Sequence, residues 1–228
     1  MKTKIIATIG PSSNSFNVLK KMVNAGMDIT RFNTKYGSTD EFLQVTNDIR
    51  KIDGIKIMYD IKGKKMVPWI KNQDFDYLAV SFADSKSVIE KYRSIFGHNV
   101  KIIAKIETKK GIDNIDELID TSNGIMVARG DLGNHIKLED VPIFQKLIIK
   151  KCNAKHKFVI TATEMLLSMI NNRTPERAEV SDIANAVLDG SDAVMLSEET
   201  SIGKHPALAI ETMKKIIVET EKNKKMLD

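Results

Sequence analysis

The sequence lacks several features that mark whole classes of protein. It has one cysteine, Cys152, among 228 residues, which excludes a disulfide framework and is typical of a protein from a reducing compartment. No apolar run approaches the ~18 residues that cross a membrane, and the apolar stretch near the N-terminus is too short for a signal peptide. We therefore expect a soluble, cytoplasmic protein with no membrane partner.

Aromatic residues and charge of a single sign are scarce as well. Aromatic residues make up 6% of the chain, and its 35 Lys and Arg residues are interspersed with 30 Asp and Glu residues. A nucleic-acid-binding face would cluster its basic residues and combine them with aromatic ones. We therefore expect no nucleic-acid partner.

What the sequence does contain is a series of short apolar segments that do not alternate strictly with polar residues. The eight segments lie at 4–9, 28–32, 55–60, 77–82, 100–107, 124–128, 158–163 and 192–196. Such segments are typical of strands that are buried on both faces of a parallel sheet. Segments with helical periodicity separate them, at about 15–25, 39–52, 85–95, 112–119, 140–154, 175–188 and 206–222. This order predicts an α/β fold, a single-domain (β/α)₈ TIM barrel over residues 1–228, with a doubly wound open sheet as the alternative.

The connection after the third strand differs from the others. Residues 62–76 contain Pro68 and have no clear amphipathic period. The helix that a TIM barrel normally has at this place is therefore predicted to be short or missing.

Active sites of such barrels form at the C-terminal ends of the strands, and these ends are polar in this sequence. The polar residues there are Arg31, Asn33, Asp60, Lys62, Ser81, Lys105, Glu107, Asp131, Thr163, Ser197 and Glu199. Packing alone does not explain so many polar residues at the ends of buried strands.

Glu107 and Asp131 end neighbouring strands, which lie about 5 Å apart in a sheet. Two carboxylates that converge there repel each other unless a cation neutralises them, and oxygen ligands favour Mg²⁺ or Mn²⁺. The alternative is a surface acid and a helix N-cap. Lys105 shares a face with Glu107 and could stabilise an oxyanion, or it could be only an ion-pair partner of the two acids. In the first case its replacement would spare the fold and abolish turnover.

The turn in GIMVARGDLG, residues 124–133, has a second property. Its backbone N–H groups lie near the start of a predicted helix and suit a small carboxylate ligand. Gly130 would allow that ligand to approach the backbone closely.

Several long stretches of the sequence resemble one family, the pyruvate kinases. These stretches are KIIATIGPSS at 4–13, AGMDITRFN at 25–33, AKIETKKGIDN at 104–114, GIMVARGDLG at 124–133, VITATEML at 159–166 and RAEVSDIANAVLDGSDAVMLSEET at 177–200. The resemblance implies that Glu107 and Asp131 bind a divalent metal and that Lys105 is the catalytic lysine. It also implies that Thr163 lies near the face of the enolate where protonation occurs.

The resemblance also implies a substrate-binding set. We expect the catalytic groups to be Lys105, Thr163 and Arg31. We expect the substrate to contact Ala128, Gly130, Asp131, Thr163, Arg31, Asn33, Lys62, Lys35, Lys65 and Ser81.

The sequence departs from the family on the nucleotide side. After the third strand, where the family has a lid domain, it has only KGKKMVPWIKNQ, and the family's C-terminal regulatory domain is not expected either. Tyr36, Val67 and Ile202 replace a histidine, an arginine and a lysine that contact the nucleotide in the family, and Glu198 replaces a glycine. Without the lid, water is not excluded and the phosphates lose positioning groups. We therefore expect weak or absent binding of ADP.

The potassium site of the family is changed too. Lys35 and Ile61 replace two potassium ligands, and Lys65 replaces a glutamate. Family members that do without potassium carry a lysine at the position of Lys65. We expect no requirement for K⁺.

The resemblance and the departures together predict a Mg²⁺- or Mn²⁺-dependent enzyme of the pyruvate kinase family. We expect it to bind phosphoenolpyruvate, pyruvate or a related 2-oxo acid and to stabilise the enolate. We expect an altered reaction: carbon–carbon lysis, decarboxylation, or phosphoryl transfer to an acceptor other than ADP. The alternatives are an ordinary pyruvate kinase and a non-catalytic binding or regulatory barrel.

An apolar run after the seventh strand predicts a homodimer or a higher homo-oligomer. The run contains Met165, Leu166, Leu167, Met169 and Ile170, which is too apolar for an exposed helical turn. The short 64–76 connection should also leave part of the outer wall of the barrel uncovered. By the resemblance, Arg177 reaches toward a neighbour's active site. The alternative is that the apolar run fills the outer core of the same chain.

Overall fold

The computed structural model describes residues 1–226 and contains a closed barrel of eight parallel strands. The strands are β1 (Lys4–Thr8), β2 (Ile29–Asn33), β3 (Lys56–Ile61), β4 (Tyr77–Val80), β5 (Lys101–Ile106), β6 (Gly124–Ala128), β7 (Phe158–Ala162) and β8 (Ala193–Leu196). Each strand pairs with its successor, and β8 pairs with β1. The predicted (β/α)₈ barrel is confirmed, and the open sheet is wrong.

Helices connect the strands on the outside of the barrel. They are α1 (Phe16–Ala25), α2 (Thr39–Ile49), α3 (Val67–Ile70), α4 (Lys86–Phe96), α5 (Lys109–Asp113), α6 (Ile115–Thr121), α7 (Arg129–Gly133), α8 (Val141–Ala154), α9 (Arg177–Leu188), α10 (Glu198–Ser201) and α11 (Pro206–Asn223). Short 3₁₀ helices lie at Leu138–Asp140, Leu167–Ile170 and Lys224–Met226. Within residues 1–226, no helix is long and apolar enough to cross a bilayer.

One predicted helix, over 112–119, is two helices in the structure. The break between α5 and α6 lies at Asn114, whose backbone leaves the helical region at φ −98° and ψ 18°. Its side chain Nδ2 donates to the carbonyl of Asp84 at 2.8 Å, which ties the break to the loop after β4. Hydrophobic periodicity does not detect such a break, because both helices turn apolar faces to the same barrel wall.

The short helix predicted after β3 is confirmed, and α3 has four residues. The expectation that the wall beneath it is uncovered is wrong. The ring of Trp69 lies 5.7 Å from that of Tyr59, and the ring of Phe75 lies 5.5 Å from Tyr59 on the same wall. Tyr59 is completely buried as a result. Large aromatic side chains thus cover the barrel wall here, where a full-length helix covers it elsewhere.

The inside of the barrel is apolar along most of its length and polar at its C-terminal end. The inward-facing apolar layer contains Ile6, Ile29, Met58, Ala79, Ile103, Met126, Ile160, Ala162, Ala193 and Met195. Side chains two apart on a strand share a face. The next inward positions after Ile6, Ile29, Met58 and Ile103 are therefore the polar residues Thr8, Arg31, Asp60 and Lys105. A polar layer thus lies directly on the apolar one, at the end that we call the barrel mouth.

The apolar run after β7 belongs to the chain's own core. Met165, Leu166 and Met169 are completely buried, and only Leu167 is well exposed. The backbone N–H of Leu166 donates to the Oε1 atom of Glu199 at 3.0 Å, which holds the run against the end of β8. The interpretation of this run as a partner surface is therefore wrong, and the alternative accounts for it.

Candidate functional site

Arg31 and Asp60 form the first half of a buried charge cluster at the barrel mouth. The Nε and Nη2 atoms of Arg31 donate to Oδ2 of Asp60 at 2.9 and 2.7 Å. Its Nη1 atom donates to Oγ1 of Thr8 at 2.7 Å. The ends of β1, β2 and β3 position these side chains, and all three are buried. Thr8 was missed in the sequence, although its place two residues after the inward-facing Ile6 is a signal that identifies it.

Lys105 forms the second half of the cluster. Its Nζ atom lies 3.1 Å from Oδ1 of Asp60, 2.9 Å from Oε1 of Glu107 and 3.0 Å from Oγ of Ser81. Lys105 is 6% exposed, and Asp60 and Glu107 are each 2% exposed. The four charges therefore alternate in sign across the barrel mouth and balance one another. Such a cluster is stable in a buried site only because every charge has a partner.

The charges shift one another's protonation. Burial by itself would raise the pKa of Asp60, but the charges of Lys105 and Arg31 lower it below its ordinary value. Burial would lower the pKa of Lys105, but Asp60 and Glu107 raise it. Burial raises the pKa of Glu107 in spite of Lys105. Asp60 and Lys105 are thus ionised at neutral pH.

A strained residue at the end of β4 holds Glu107 from the other side. Phe82 has a φ of 52°, which is uncommon for a residue with a Cβ atom. In this conformation its backbone N–H donates to Oε2 of Glu107 at 2.5 Å. The Nζ atom of Lys62 lies 4.6 Å from the centroid of the Phe82 ring. Sequence patterns gave no signal for Phe82, because the strained conformation depends on the tertiary structure.

A second polar group lies at the ends of β6 and β7, around Thr163. Thr163 has a φ of 72°. Its Oγ1 atom accepts from the backbone N–H of Gly130 at 2.8 Å and donates to the carbonyl of Ala162 at 2.6 Å. The hydroxyl of Thr163 and the turn after Ala128 are therefore one connected unit. The amide of Gly130, however, is already bonded within the chain.

Arg129 supports this turn and was also missed in the sequence. Its Nη2 atom donates to the carbonyl of Thr163 at 2.5 Å, and its Nη1 atom lies 2.6 Å from Oδ2 of Asp182 on α9. The arginine thus links the end of β6, the turn after β7 and α9. It lies within the quoted ARGD stretch, but its partners are distant in sequence, so spacing does not reveal them.

Other predicted site residues lie around the cluster rather than in it. Lys35 and Lys65 are exposed, as is Lys62, and Asn33 is half-buried with its Oδ1 atom accepting from the backbone N–H of Lys35 at 3.2 Å. The hydroxyl of Tyr36 raises the pKa of Lys35, and Asp131 adds to that effect. Arg177 is exposed at the start of α9.

A cavity of about 530 Å³ adjoins the cluster on the side of β1, β2 and β8. Arg31 and Asn33 line it, together with Tyr36, Glu198 and Ile202. Val67 does not, because it is buried in the core beneath α3.

The comparison with known proteins agrees with this architecture. The family model described as pyruvate kinase, barrel domain, matches residues 1–68 and 60–210. The chain belongs to the pyruvate kinase family. The two matched segments meet just after β3, where this sequence lacks the family's lid domain.

The chain is similar to individual members of the pyruvate kinase family along most of its length. It is 30% identical to the pyruvate kinase of Thermoplasma acidophilum, over 95% of this chain and 58% of that protein. It is 39% identical to that of Clostridium acetobutylicum, over 96% of this chain and 50% of that protein. The crystal structure of a pyruvate kinase from Cryptosporidium parvum superimposes with a TM-score of 0.93 at 27% identity, covering 97% of this chain and 69% of that one. The chain thus spans about half the length of these curated relatives.

The two predicted metal ligands lie at the ends of adjacent parts of the barrel mouth and differ in exposure. Glu107 follows the last residue of β5, and Asp131 lies exposed in α7 after β6. Within residues 1–226, no group of three or more His, Cys, Asp or Glu residues could hold a metal. Both oxygens of Glu107 already have partners in this structure, Oε1 in Nζ of Lys105 and Oε2 in the backbone N–H of Phe82. The donor type fits Mg²⁺, which commonly binds one or two protein carboxylates and completes its coordination with substrate and water.

Glu199 has a different role from the one that its place at a strand end suggested. It is completely buried and accepts from the backbone N–H groups of Leu166 at 3.0 Å and Ser197 at 2.7 Å. Burial raises the pKa of its carboxyl group. Glu199 therefore joins the loops after β7 and β8 and is not open to a ligand.

Proposed function

We propose that the chain is a metal-dependent enzyme that binds phosphoenolpyruvate, pyruvate or a related 2-oxo acid and stabilises its enolate. The observation that carries this proposal is the buried cluster of Arg31, Asp60, Lys105 and Glu107 at the barrel mouth of a pyruvate kinase family member. A charge-balanced cluster of this kind can respond to a new negative charge without a large reorganisation, which is the requirement for electrostatic catalysis.

Lys105 is the group that we assign to the developing enolate oxygen. Its ammonium is almost completely buried and is held by three hydrogen-bonding partners, so that its position is fixed before the substrate binds. A fixed positive charge stabilises a developing oxyanion more than it stabilises a neutral ground state. Arg31 adds a second positive charge on the same layer.

Glu107 and Asp131 are the residues that would hold Mg²⁺ or Mn²⁺. Bound there, the metal would supply Lewis-acid polarisation of the substrate's oxygen atoms. The position of the two carboxylates, just after β5 and in α7 after the adjacent strand β6, supports this assignment, and Asp131 is exposed and has room for further ligands.

Thr163 and the turn at Gly130 are assigned to the substrate's carboxylate and to proton transfer. The Thr163 hydroxyl accepts from the amide of Gly130 at 2.8 Å, so a carboxylate that binds to this amide must replace that bond. Arg129 fixes the turn through the carbonyl of Thr163. A carboxylate that takes the place of the bond between hydroxyl and amide would leave the hydroxyl beside the reacting carbon.

We propose an altered reaction, because the cavity beside Arg31 does not have the chemistry of a nucleotide phosphate site. Tyr36 and Ile202 are exposed on its rim, Glu198 adds a negative charge, and no lysine is among its lining residues in the described part of the chain. The second candidate is ordinary pyruvate kinase activity, which is favoured by the names of the relatives. Calorimetry with Mg-ADP separates the two, and micromolar affinity would favour the kinase.

We further propose that K⁺ is not required. The exposed lysines 35 and 65 can provide fixed positive charge near the place where the family binds this ion. Equal turnover in K⁺ and in tetramethylammonium would support this proposal, and strict dependence on K⁺ would contradict it.

A Mn²⁺ titration tests the proposed metal site directly. Oxalate mimics the enolate, so Mn²⁺ and oxalate together should bind more tightly than either alone. Asp131→Asn should weaken Mn²⁺ binding at least tenfold. Asp53→Asn is the matched control, because Asp53 is exposed in the connection before β3, at the opposite end of the barrel. Equal Mn²⁺ affinity in the two variants would remove the metal site from the proposal, and absence of oxalate binding would favour a non-catalytic barrel.

A further inference from the structure

The cavity beside Arg31 has walls that are fixed by backbone contacts. The backbone N–H of Ser12 donates to the carbonyl of Ser201 at 2.9 Å, which joins the loop after β1 to α10. Gly10 lies so close to Ser201 that a Cβ atom on Gly10 would be 2.7 Å from the Ser201 carbonyl oxygen. These contacts fix the wall of the cavity on the side of β1 and β8, and the cavity has a volume of about 530 Å³. This size is within the range of sites for small organic ligands.

The walls of the cavity are mainly apolar. They contain Ile9, Pro11, Phe42 and Val45, with the exposed side chains of Tyr36 and Ile202 at the rim. Exposed aromatic and branched aliphatic side chains around a concave volume favour a ligand with an apolar body, because the ligand would remove them from water.

The charged groups that line the cavity are one arginine and two glutamates. Arg31 is committed to Asp60 and Thr8. Glu41 accepts from the backbone N–H of Ser38 at 2.7 Å and belongs to the cap of α2. Glu198 is exposed and has no ion-pair partner among residues 1–226. Tyr36 is already contacted by a cation of the chain, because the Nζ atom of Lys35 lies 5.0 Å from the centroid of its ring.

We propose that this cavity binds a small organic cation, an amine that carries an aromatic or branched apolar group. The ammonium pairs with Glu198, and the apolar group packs on the rings and aliphatic side chains of the walls. A nucleoside diphosphate is disfavoured by the same residues, since its phosphates need positive charge and meet Glu198 instead. The cavity shares Arg31 and Asn33 with the proposed enolate site, but Glu198, which pairs with the ammonium, is not part of that site. The inference therefore stands whether or not the enolate site is catalytic.

A matched pair of probes tests the charge preference. Phenethylamine and 3-phenylpropionate share a ring and a two-carbon chain and differ in the sign of their charge. We expect calorimetry to show that phenethylamine binds at least tenfold more tightly than 3-phenylpropionate or ADP. Equal binding, tighter binding of either anion, or no binding of phenethylamine would overturn the proposal.

Variants locate the site. Glu198→Gln should reduce the preference for phenethylamine to threefold or less, while Glu139→Gln, at an exposed glutamate in the 3₁₀ helix before α8, should leave it unchanged. An unchanged preference in Glu198→Gln would place the cation elsewhere and contradict the proposal. The Mn²⁺ affinity of Glu198→Gln should equal that of the unsubstituted protein, so that failure of this inference is distinguished from failure of the enolate site.

Discussion

Replacement of Lys105 by methionine should destabilise the fold as well as abolish turnover. The sequence suggested that this lysine could be removed without harm to the fold. The structure argues otherwise, because the ammonium lies 3.1 Å from Asp60 and 2.9 Å from Glu107, both of which are 2% exposed. Removing one partner of a buried ion pair costs about 3–5 kcal/mol, because the remaining charge is left uncompensated. In a chain of this size that loss lowers the melting temperature by roughly 6–20 °C.

Thermal unfolding measures this effect. The single tryptophan, Trp69, packs on Tyr59 in the wall of the barrel and reports unfolding by fluorescence, beside circular dichroism. Lys109→Met is the matched control: Lys109 pairs with Asp113 at the surface, and its loss should change stability by no more than about 0.5 kcal/mol.

A compensating change separates charge from packing. The double variant Lys105→Met with Glu107→Gln removes one charge of each sign and leaves the Arg31–Asp60 pair in place. It should recover about half or more of the lost stability if uncompensated charge is the cause. A melting temperature of Lys105→Met within about 2 °C of the unsubstituted protein would refute the reasoning.

Two further predictions follow from the described contacts, and a third follows from the resemblance to the pyruvate kinases. Glu199→Ala should lower the free energy of unfolding, measured by denaturant titration, by roughly 2–6 kcal/mol. The reason is that the buried N–H groups of Leu166 and Ser197 lose their acceptor. A loss below about 1 kcal/mol would contradict this prediction. Burial raises the pKa of Cys152 to about 12, and only the thiolate reacts, so iodoacetamide at pH 8 should label the unfolded protein but not the native one. Labelling of native protein within minutes, seen by mass spectrometry, would count against that buried environment. We also propose a homodimer in which Arg177 lies near the neighbouring protomer, and light scattering that gives a monodisperse species near 25.6 kDa at micromolar concentration would overturn it.

The barrel was predictable because its strands are buried on both faces. Segments such as 124–128 have no alternation, and helical periodicity separates them, so that few arrangements other than a parallel sheet with outer helices remain. The polar layer was predictable for a related reason. Packing does not explain the charged residues Arg31, Asp60 and Lys105 at the ends of buried strands. The side-chain period of two places all three on the inner face of the barrel.

The pairing within the site was not predictable from the sequence. The sequence analysis placed Lys105 beside Glu107 and Asp131, whereas the structure pairs it with Glu107 and Asp60. The contact with Asp60 depends on the register of β3, β4 and β5, which the sequence does not reveal. The conformations of Phe82 and Thr163 were hidden for another reason. A positive φ at a residue with a Cβ atom is held by tertiary contacts and leaves no local signature.

The surface that covers the apolar run after β7 was not predictable from the sequence either. Composition reveals that Met165, Leu166 and Met169 avoid water, but it does not reveal what covers them. In the structure the run packs against the end of β8 in the same chain, where Glu199 accepts a hydrogen bond from the backbone N–H of Leu166.

Deuterium exchange into pyruvate tests the central claim most directly, because it measures enolate formation without any acceptor or nucleotide. Pyruvate is incubated with the protein and Mg²⁺ in D₂O, and proton NMR follows the loss of the methyl signal. Enolate stabilisation at the Lys105 cluster predicts exchange faster than with Mg²⁺ alone, lost on addition of EDTA and strongly reduced in Asp131→Asn but not in Asp53→Asn. Exchange no faster than in the protein-free solution would contradict it.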